Sequence, residues 1–157
     1  MCSIIYVDFD GVLVDTPKFI NREITKYGNS DDVFKHFQWK YFLQNCNEIC
    51  NNLFYIKEIA KKYKVVILTH VYSINEKIEK EKYIFSRLQN IEVISVPYFV
   101  EKNNMVNPKG NILIDDYKKN INKWIESGGI GIYLNNEKRI DKLLANYGVL
   151  ICEEERA

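Results

Sequence analysis

Ile4-Ile5-Tyr6-Val7-Asp8-Phe9-Asp10-Gly11-Val12-Leu13-Val14-Asp15-Thr16-Pro17 is the stretch on which the fold turns. Its first half is apolar, β-rich and short, which predicts a buried strand over 4–9. The strand runs into two acids, Asp8 and Asp10, and Gly11 supplies the turn that ends it. Thr16-Pro17 then reads as a helix start, with Thr16 as N-cap and Pro17 in the first helical position. That helix is expected to reach Tyr27, where Gly28-Asn29-Ser30 stops it.

The same alternation continues outward. Lys64-Val65-Val66-Ile67-Leu68-Thr69 reads as a second buried strand, 91–96 as a third, Asn111-Ile112-Leu113-Ile114-Asp115-Asp116 as a fourth and 130–134 as a fifth. Pro97 closes the third strand. Helices are expected over 47–63, 75–88, 118–127 and 136–146, and a short edge strand over 149–151. The segment 99–110 reads as polar loop. Strands apolar on both faces and alternating with helices predict an α/β Rossmann-like parallel sheet with helices on both faces. In such sheets ligands bind beyond the carboxyl ends of the strands. Reactive residues stand at three of those ends: Asp8 and Asp10, Thr69, and Asp115-Asp116.

Several function classes are excluded or disfavoured by bulk properties. The chain has 157 residues, 46% of them hydrophobic and 27% charged. A chain this long buries roughly 70% of its unfolded surface and needs no disulfide or structural metal to fold. The net charge of +1 gives no global pull toward nucleic acid or membrane. No apolar run approaches the roughly 20 residues of a membrane-spanning helix. Met1 leads into the first strand without a basic-then-apolar leader, so a cytoplasmic location is expected. Of the four cysteines, Cys2 and Cys152 lie near the ends, and Cys46 and Cys50 are one turn apart if helical. With only His36 and His70 to add, they make no zinc set and read as reduced thiols.

The acids define the chemistry. Carboxylates crowded at one sheet edge repel each other and call for a cation. Oxygen-only ligands suit Mg²⁺, which usually takes one or two carboxylates plus phosphate oxygens. Such a site binds a phosphorylated substrate and lets an aspartate approach phosphorus as a nucleophile. A second carboxylate two residues along the strand lies on the same side and can exchange protons with the leaving oxygen and with water. Each piece alone has a blander reading, as a turn, an N-cap pair or a strand end. Their convergence on one edge is what argues for chemistry.

Here the sequence resembles the haloacid dehalogenase superfamily. Asp8-Phe9-Asp10-Gly11-Val12-Leu13-Val14-Asp15-Thr16 is similar to its first motif, Val66-Ile67-Leu68-Thr69 to its second, and Ile112-Leu113-Ile114-Asp115-Asp116 to its fourth. The resemblance runs from Ile4 to about Leu134. It implies Mg²⁺ and an aspartyl-phosphate intermediate, with Asp8 as nucleophile and metal ligand and Asp10 as acid/base that reaches the metal through its backbone carbonyl. Thr69 would hydrogen-bond the phosphoryl group, and Asp115 and Asp116 would complete the metal set, directly or through water. The segment from Ile112 to Tyr117, with Ile121 and 128–132, looks most like the 5′(3′)-deoxyribonucleotidase branch. That branch implies a phosphate-binding lysine on the helix after Thr69, where Lys82-Tyr83 fits; Lys102 and Lys109 are the alternatives. His70 departs from the pattern, where a small residue usually follows the threonine. Its backbone N–H is expected to face phosphate, and its side chain to contact substrate or cap the next helix.

One domain over 1–157 is expected, with 17–52 as a small helical cap insertion. The cap's aromatics, Phe37, Trp39, Tyr41 and Phe42, would form its own core or stack on a base. The activity these features imply is Mg²⁺-dependent phosphomonoester hydrolysis on a small phosphorylated metabolite, foremost a nucleoside monophosphate. The rivals are a polynucleotide 3′-phosphatase, a phosphomutase, and a non-catalytic nucleotide- or phosphate-binding protein. No stable nucleic-acid partner and no membrane partner are expected.

Overall fold

In the computed structural model, which describes residues 3–28, 33 and 37–150, five strands form one sheet. They are β1 (Ile5–Val7), β2 (Val65–Val71), β3 (Glu92–Pro97), β4 (Ile112–Asp115) and β5 (Ile130–Tyr133). Their order is β3-β2-β1-β4-β5, and every pair is parallel. Among the described residues the helices are α1 (Thr16–Tyr27), α2 (Trp39–Asn45), α3 (Asn52–Ala60), α4 (Ile74–Arg87), α5 (Lys102–Met105), α6 (Lys118–Glu126) and α7 (Ile140–Ala145). This is the Rossmann-like α/β fold expected from the alternation of elements.

Side chains leave a strand alternately on its two faces. Ile5 and Val7, with Val65, Ile67, Ile112 and Ile114, fill one core, and Tyr6, Val66, Leu68 and Leu113 fill a second with Ile121 and Trp124. Both faces are therefore covered, which is why the strands read as unbroken apolar runs. β1 lies at the centre, in register with Val65 on one side and Ile112 on the other through Ile5. The order reverses at β1, so the crevice beside its carboxyl end is where such a sheet binds ligands.

β1 is shorter than the sequence suggests. Asp8 N–H donates its last ladder bond to the Ile114 carbonyl at 2.9 Å. The chain then turns: Leu13 N–H reaches the Phe9 carbonyl at 2.9 Å, and Gly11 N–H the Val14 carbonyl at 2.8 Å. Helix α1 has Asp15, not Thr16, in the capping position, so Thr16 and Pro17 both lie inside its first turn. Gly28, with φ 91°, ends α1 in the left-handed conformation. Residues 29–32 and 34–36, which hold Phe34 and His36, lie outside the described residues, as do Cys2, Ile151 and Cys152.

Three further boundaries differ from the sequence reading. Helix α3 starts at Asn52 rather than near 47, because Cys50 and Asn51 take positive φ of 48° and 60°. The buried Asn52 side chain donates to the Val12 and Lys138 carbonyls at 2.8 and 2.9 Å and accepts from Ile140 N–H at 3.2 Å. It thus stitches α3 to the β1 turn and to α7. The supposed loop 99–110 contains α5, a single turn too short for periodicity to reveal. Val149 and Leu150 form no strand.

Candidate functional site

The carboxyl ends of β1, β2 and β4 bring Asp8, Asp10, Thr69, Asp115 and Asp116 together. Asp8 is buried, and its Oδ1 accepts from Phe9 N–H at 2.8 Å and from the Lys102 ammonium at 2.8 Å. Asp115 is fully buried and fully engaged. Its Oδ2 accepts from Lys102 at 2.7 Å and from the Asn120 amide at 2.9 Å, and its Oδ1 from Tyr117 N–H at 2.8 Å. Lys102 comes from the unforeseen turn α5 and bridges both acids. Of the three candidate lysines, Lys102 is the one that joins these acids, although it does not lie on the helix after Thr69.

One oxygen each from Asp8, Asp115 and Asp116 lie within 4.8 Å of one another. Burial first, and then the neighbouring acids Asp115 and Asp10, push Asp8 well above the ordinary carboxylate range, against the pull of Lys102. Asp116 is pushed up to about 6, first by burial and then by Asp115 and Asp10. Burial pulls Lys102 down, but Asp115 and Asp8 more than restore it, so its ammonium is kept. Three carboxylates around one ammonium leave surplus negative charge, and a divalent cation is the group that would relieve it. The donor set, hard oxygens alone, fits Mg²⁺. Because Asp115 already accepts three hydrogen bonds, Asp116 is the freer of the pair to hold a cation.

Gly11 makes room for that acid. A Cβ at Gly11 would sit 1.9 Å from Asp116 Oδ2, and the residue's φ is 75°, a conformation L side chains rarely adopt. The glycine of the turn is thus required twice, by its backbone and by the carboxylate beside it.

A second buried lysine was not foreseen. Lys80, on α4, has no solvent exposure. Its ammonium donates to Asp10 Oδ2 at 2.5 Å, to Glu76 Oε1 at 2.7 Å and to the His70 carbonyl at 2.9 Å. It lies 4.8 Å from the Trp39 ring centre and 5.5 Å from that of Phe9. Burial lowers its affinity for the proton, yet Asp10 and Glu76 outweigh that and hold it charged. Helical phase is the signal that could have found it. Glu76, Lys80, Tyr83 and Ile84 share the inward face of α4, three or four residues apart. Glu76 also fixes the start of α4: its N–H bonds Ser73 Oγ at 3.1 Å, and its Oε2 accepts from Tyr72 N–H at 2.8 Å.

Lys82, expected to serve the phosphate, does not join the cluster. Two positions beyond Lys80, it points outward, 68% exposed, and pairs with Glu79 at 3.0 Å. Lys109 is exposed in the loop before β4. Thr69 is fully buried, 3.5 Å from Asp10 Oδ2 and 3.4 Å from the Lys80 ammonium. His70 caps no helix: its Nε2 bonds the Val100 carbonyl at 2.9 Å. Burial lowers its pKa, which favours the neutral ring donating to that carbonyl.

Beside Asp10 lies a cleft of about 120 Å³ lined by Thr16, Ile20, Trp39, Tyr72 and Glu76. Asp10 Oδ1 and Thr16 Oγ1 are the buried side-chain polar atoms without a partner among the described residues, and both residues line this cleft. Orphaned buried polar atoms are costly and point to an absent ligand or water. Phe37, Trp39 and Phe42 are buried and pack on one another and on Phe19, with ring centres 4.4–6.0 Å apart. Only Tyr41 of the four expected aromatics is exposed.

What the fold and site define is an α/β sheet with an acid cluster and two buried lysines beyond its central strands. A scan against protein-family models gives no match, and neither does a search of curated proteins. Among solved structures the chain is similar to a haloacid dehalogenase-like family hydrolase from Xanthomonas campestris. The match has a TM-score of 0.55 and 14% identity and covers 84% of this chain and 81% of the other. At that identity the likeness is one of fold. Among the described residues no helix is long and apolar enough to cross a membrane.

Proposed function

We propose that the chain hydrolyses phosphomonoesters through a covalent phosphoryl group on Asp8. The observation that carries this reading is the gathering of Asp8, Asp10, Asp116, Thr69 and Lys102 at one strand edge. The likeness to a hydrolase of the same fold agrees with it. Asp8, Asp116 and the Asp10 backbone carbonyl would hold Mg²⁺, with Asp115 behind them. The ion, when bound, offsets the charge of the acids and of the incoming phosphate.

The roles of the residues follow from their bonds. Asp8 Oδ1 is held by Lys102 and Phe9 N–H, which aims Oδ2 at phosphorus. Attack forms the Asp8–phosphorus bond and breaks the ester bond. Asp10 protonates the departing oxygen through Oδ1, since Lys80 occupies its Oδ2. Water then attacks phosphorus, Asp10 takes its proton, and inorganic phosphate leaves Asp8. Thr69 and Lys102 face the charge that builds on the phosphoryl oxygens.

The segment that carries α1 and α2, between the first and second motifs, acts as the cap over this edge. The substrate we favour is a small phosphorylated metabolite, foremost a nucleoside monophosphate, with no stable nucleic-acid partner. The test is phosphate release from nucleoside monophosphates, sugar phosphates and 3′-phosphorylated oligonucleotides, with Mg²⁺ and with EDTA. Release from mononucleotides that stops in EDTA is expected. Release from oligonucleotides alone would shift the assignment to a polynucleotide phosphatase. Nucleotide binding with no release in Mg²⁺ would contradict catalysis.

A further inference from the structure

We infer that Tyr72 and Tyr98, flanked by Phe99, form a preformed platform for the flat heteroaromatic part of the leaving group, a nucleobase. This deepens the phosphomonoesterase reading and rests on it.

The two tyrosine rings lie 4.9 Å apart and only 10° from parallel. Phe99 meets Tyr98 edge-on at 5.4 Å. Even so, Tyr72, Tyr98 and Phe99 remain 55%, 57% and 76% exposed. Contiguous exposed aromatics of this kind mark binding surfaces. They follow the carboxyl ends of the adjacent strands β2 and β3, the ligand-binding edge of the sheet.

The platform is built before any ligand arrives. Tyr98 N–H donates to the Val71 carbonyl at 3.0 Å, and Tyr72 N–H to Glu76 at 2.8 Å. The backbone under both rings is thereby fixed, and little ordering is left to oppose binding. The buried ring cluster of Phe37, Trp39 and Phe42 is spent on packing, whereas Tyr72, Tyr98 and Phe99 keep ring surface in the open.

A base fits better than a protein partner because of what Tyr72 adjoins. Tyr72 is also a wall of the cleft that holds Asp10 and the orphaned Thr16 hydroxyl. A protein seated permanently on Tyr72 would cover that cleft. A nucleoside instead offers polar groups to Thr16 and a flat face to the tyrosines while its ester faces Asp10.

The experiment compares kcat/KM for adenosine 5′-monophosphate with that for ribose 5-phosphate, the same ester without the base. Wild type, Tyr98→Ala and Tyr98→Phe are assayed in Mg²⁺. Loss of one stacking face should lower the preference for the nucleotide by about tenfold. Tyr98→Phe, which keeps the face, should restore it. An unchanged preference in Tyr98→Ala, with phosphate still released, overturns the platform and leaves the phosphatase reading standing. If wild type releases phosphate from no ester, that reading fails. The platform is then judged by adenosine 5′-monophosphate binding to the Asp8→Asn protein with and without Tyr98→Ala, and equal affinities overturn it. A wild-type dimer that Tyr98→Ala dissociates would also overturn it, by giving the patch to a second copy of the chain.

Discussion

Lys80 has no solvent exposure, and Asp10 and Glu76 hold its ammonium between them. Removing one partner of such a buried group leaves the others uncompensated, at a cost of about 3–5 kcal/mol. Lys80→Met should therefore lower the stability measured by urea unfolding by about that amount, and adding Glu76→Gln should recover part of it. Lys82→Ala, on the outer face of the same helix, should change stability by less than about 0.5 kcal/mol. Asp10 has a narrower task. Asp10→Asn should slow esters with poor leaving groups most and p-nitrophenyl phosphate least, because the latter needs little protonation on departure. Steady-state rates across a leaving-group series check this, and an equal loss for all esters would remove Asp10 from proton transfer. Asp116 contributes to the pH dependence, together with Asp8, whose carboxyl is raised as well. The folded pKa of Asp116, about 6, lies above the roughly 3.9 of an unfolded aspartate. A carboxyl raised in this way favours folding in its protonated form, so without metal its contribution is lost as pH rises from about 4 through 6. Mg²⁺ needs the ionised form, so its affinity should fall by up to about tenfold per pH unit below 6. Thermal melts at several pH values, with and without Mg²⁺, read both effects, and Asp116→Asn should reduce them, leaving the part due to Asp8.

At the level of elements, the turn after β1 sets the site. Gly11→Ala would place a methyl group against Asp116 in a left-handed backbone. The conformation alone costs about 1–2 kcal/mol. The expected result is a lower melting temperature together with weaker Mg²⁺ binding, measured by calorimetry; wild-type Mg²⁺ affinity would show that Asp116 holds no cation. The strands and their acids were legible because buried parallel strands read as apolar runs and because Asp8, Asp115 and Asp116 stand at their ends. Lys102 was visible only as a candidate, since α5 is one turn long and carries no periodic signal. Lys80 was missed although its phase with Tyr83 and Ile84 was present, because a lysine on a charged helix normally faces water. The segment 17–52, expected to be a cap, was least legible. Its aromatics fit both a small core and a stacking surface, and only packing shows that Phe37, Trp39 and Phe42 bury one another.

For the molecule as a whole, parallel strands and two-sided cores deliver acids from distant parts of the sequence to one edge. Asp8 and Asp115 are 107 residues apart yet share the Lys102 ammonium. The sheet order, which reverses at β1, explains why the crevice forms there. The central claim is that Asp8 carries the phosphoryl group between attack and hydrolysis. It is tested most directly by mixing the protein with a phosphate-labelled nucleoside monophosphate in Mg²⁺, quenching in acid during turnover, and mapping the labelled peptide. The expected result is label on the peptide that contains Asp8, and none in Asp8→Asn, whose phosphate release should fall by several orders of magnitude. Label on another residue, or wild-type release from Asp8→Asn, would contradict the account.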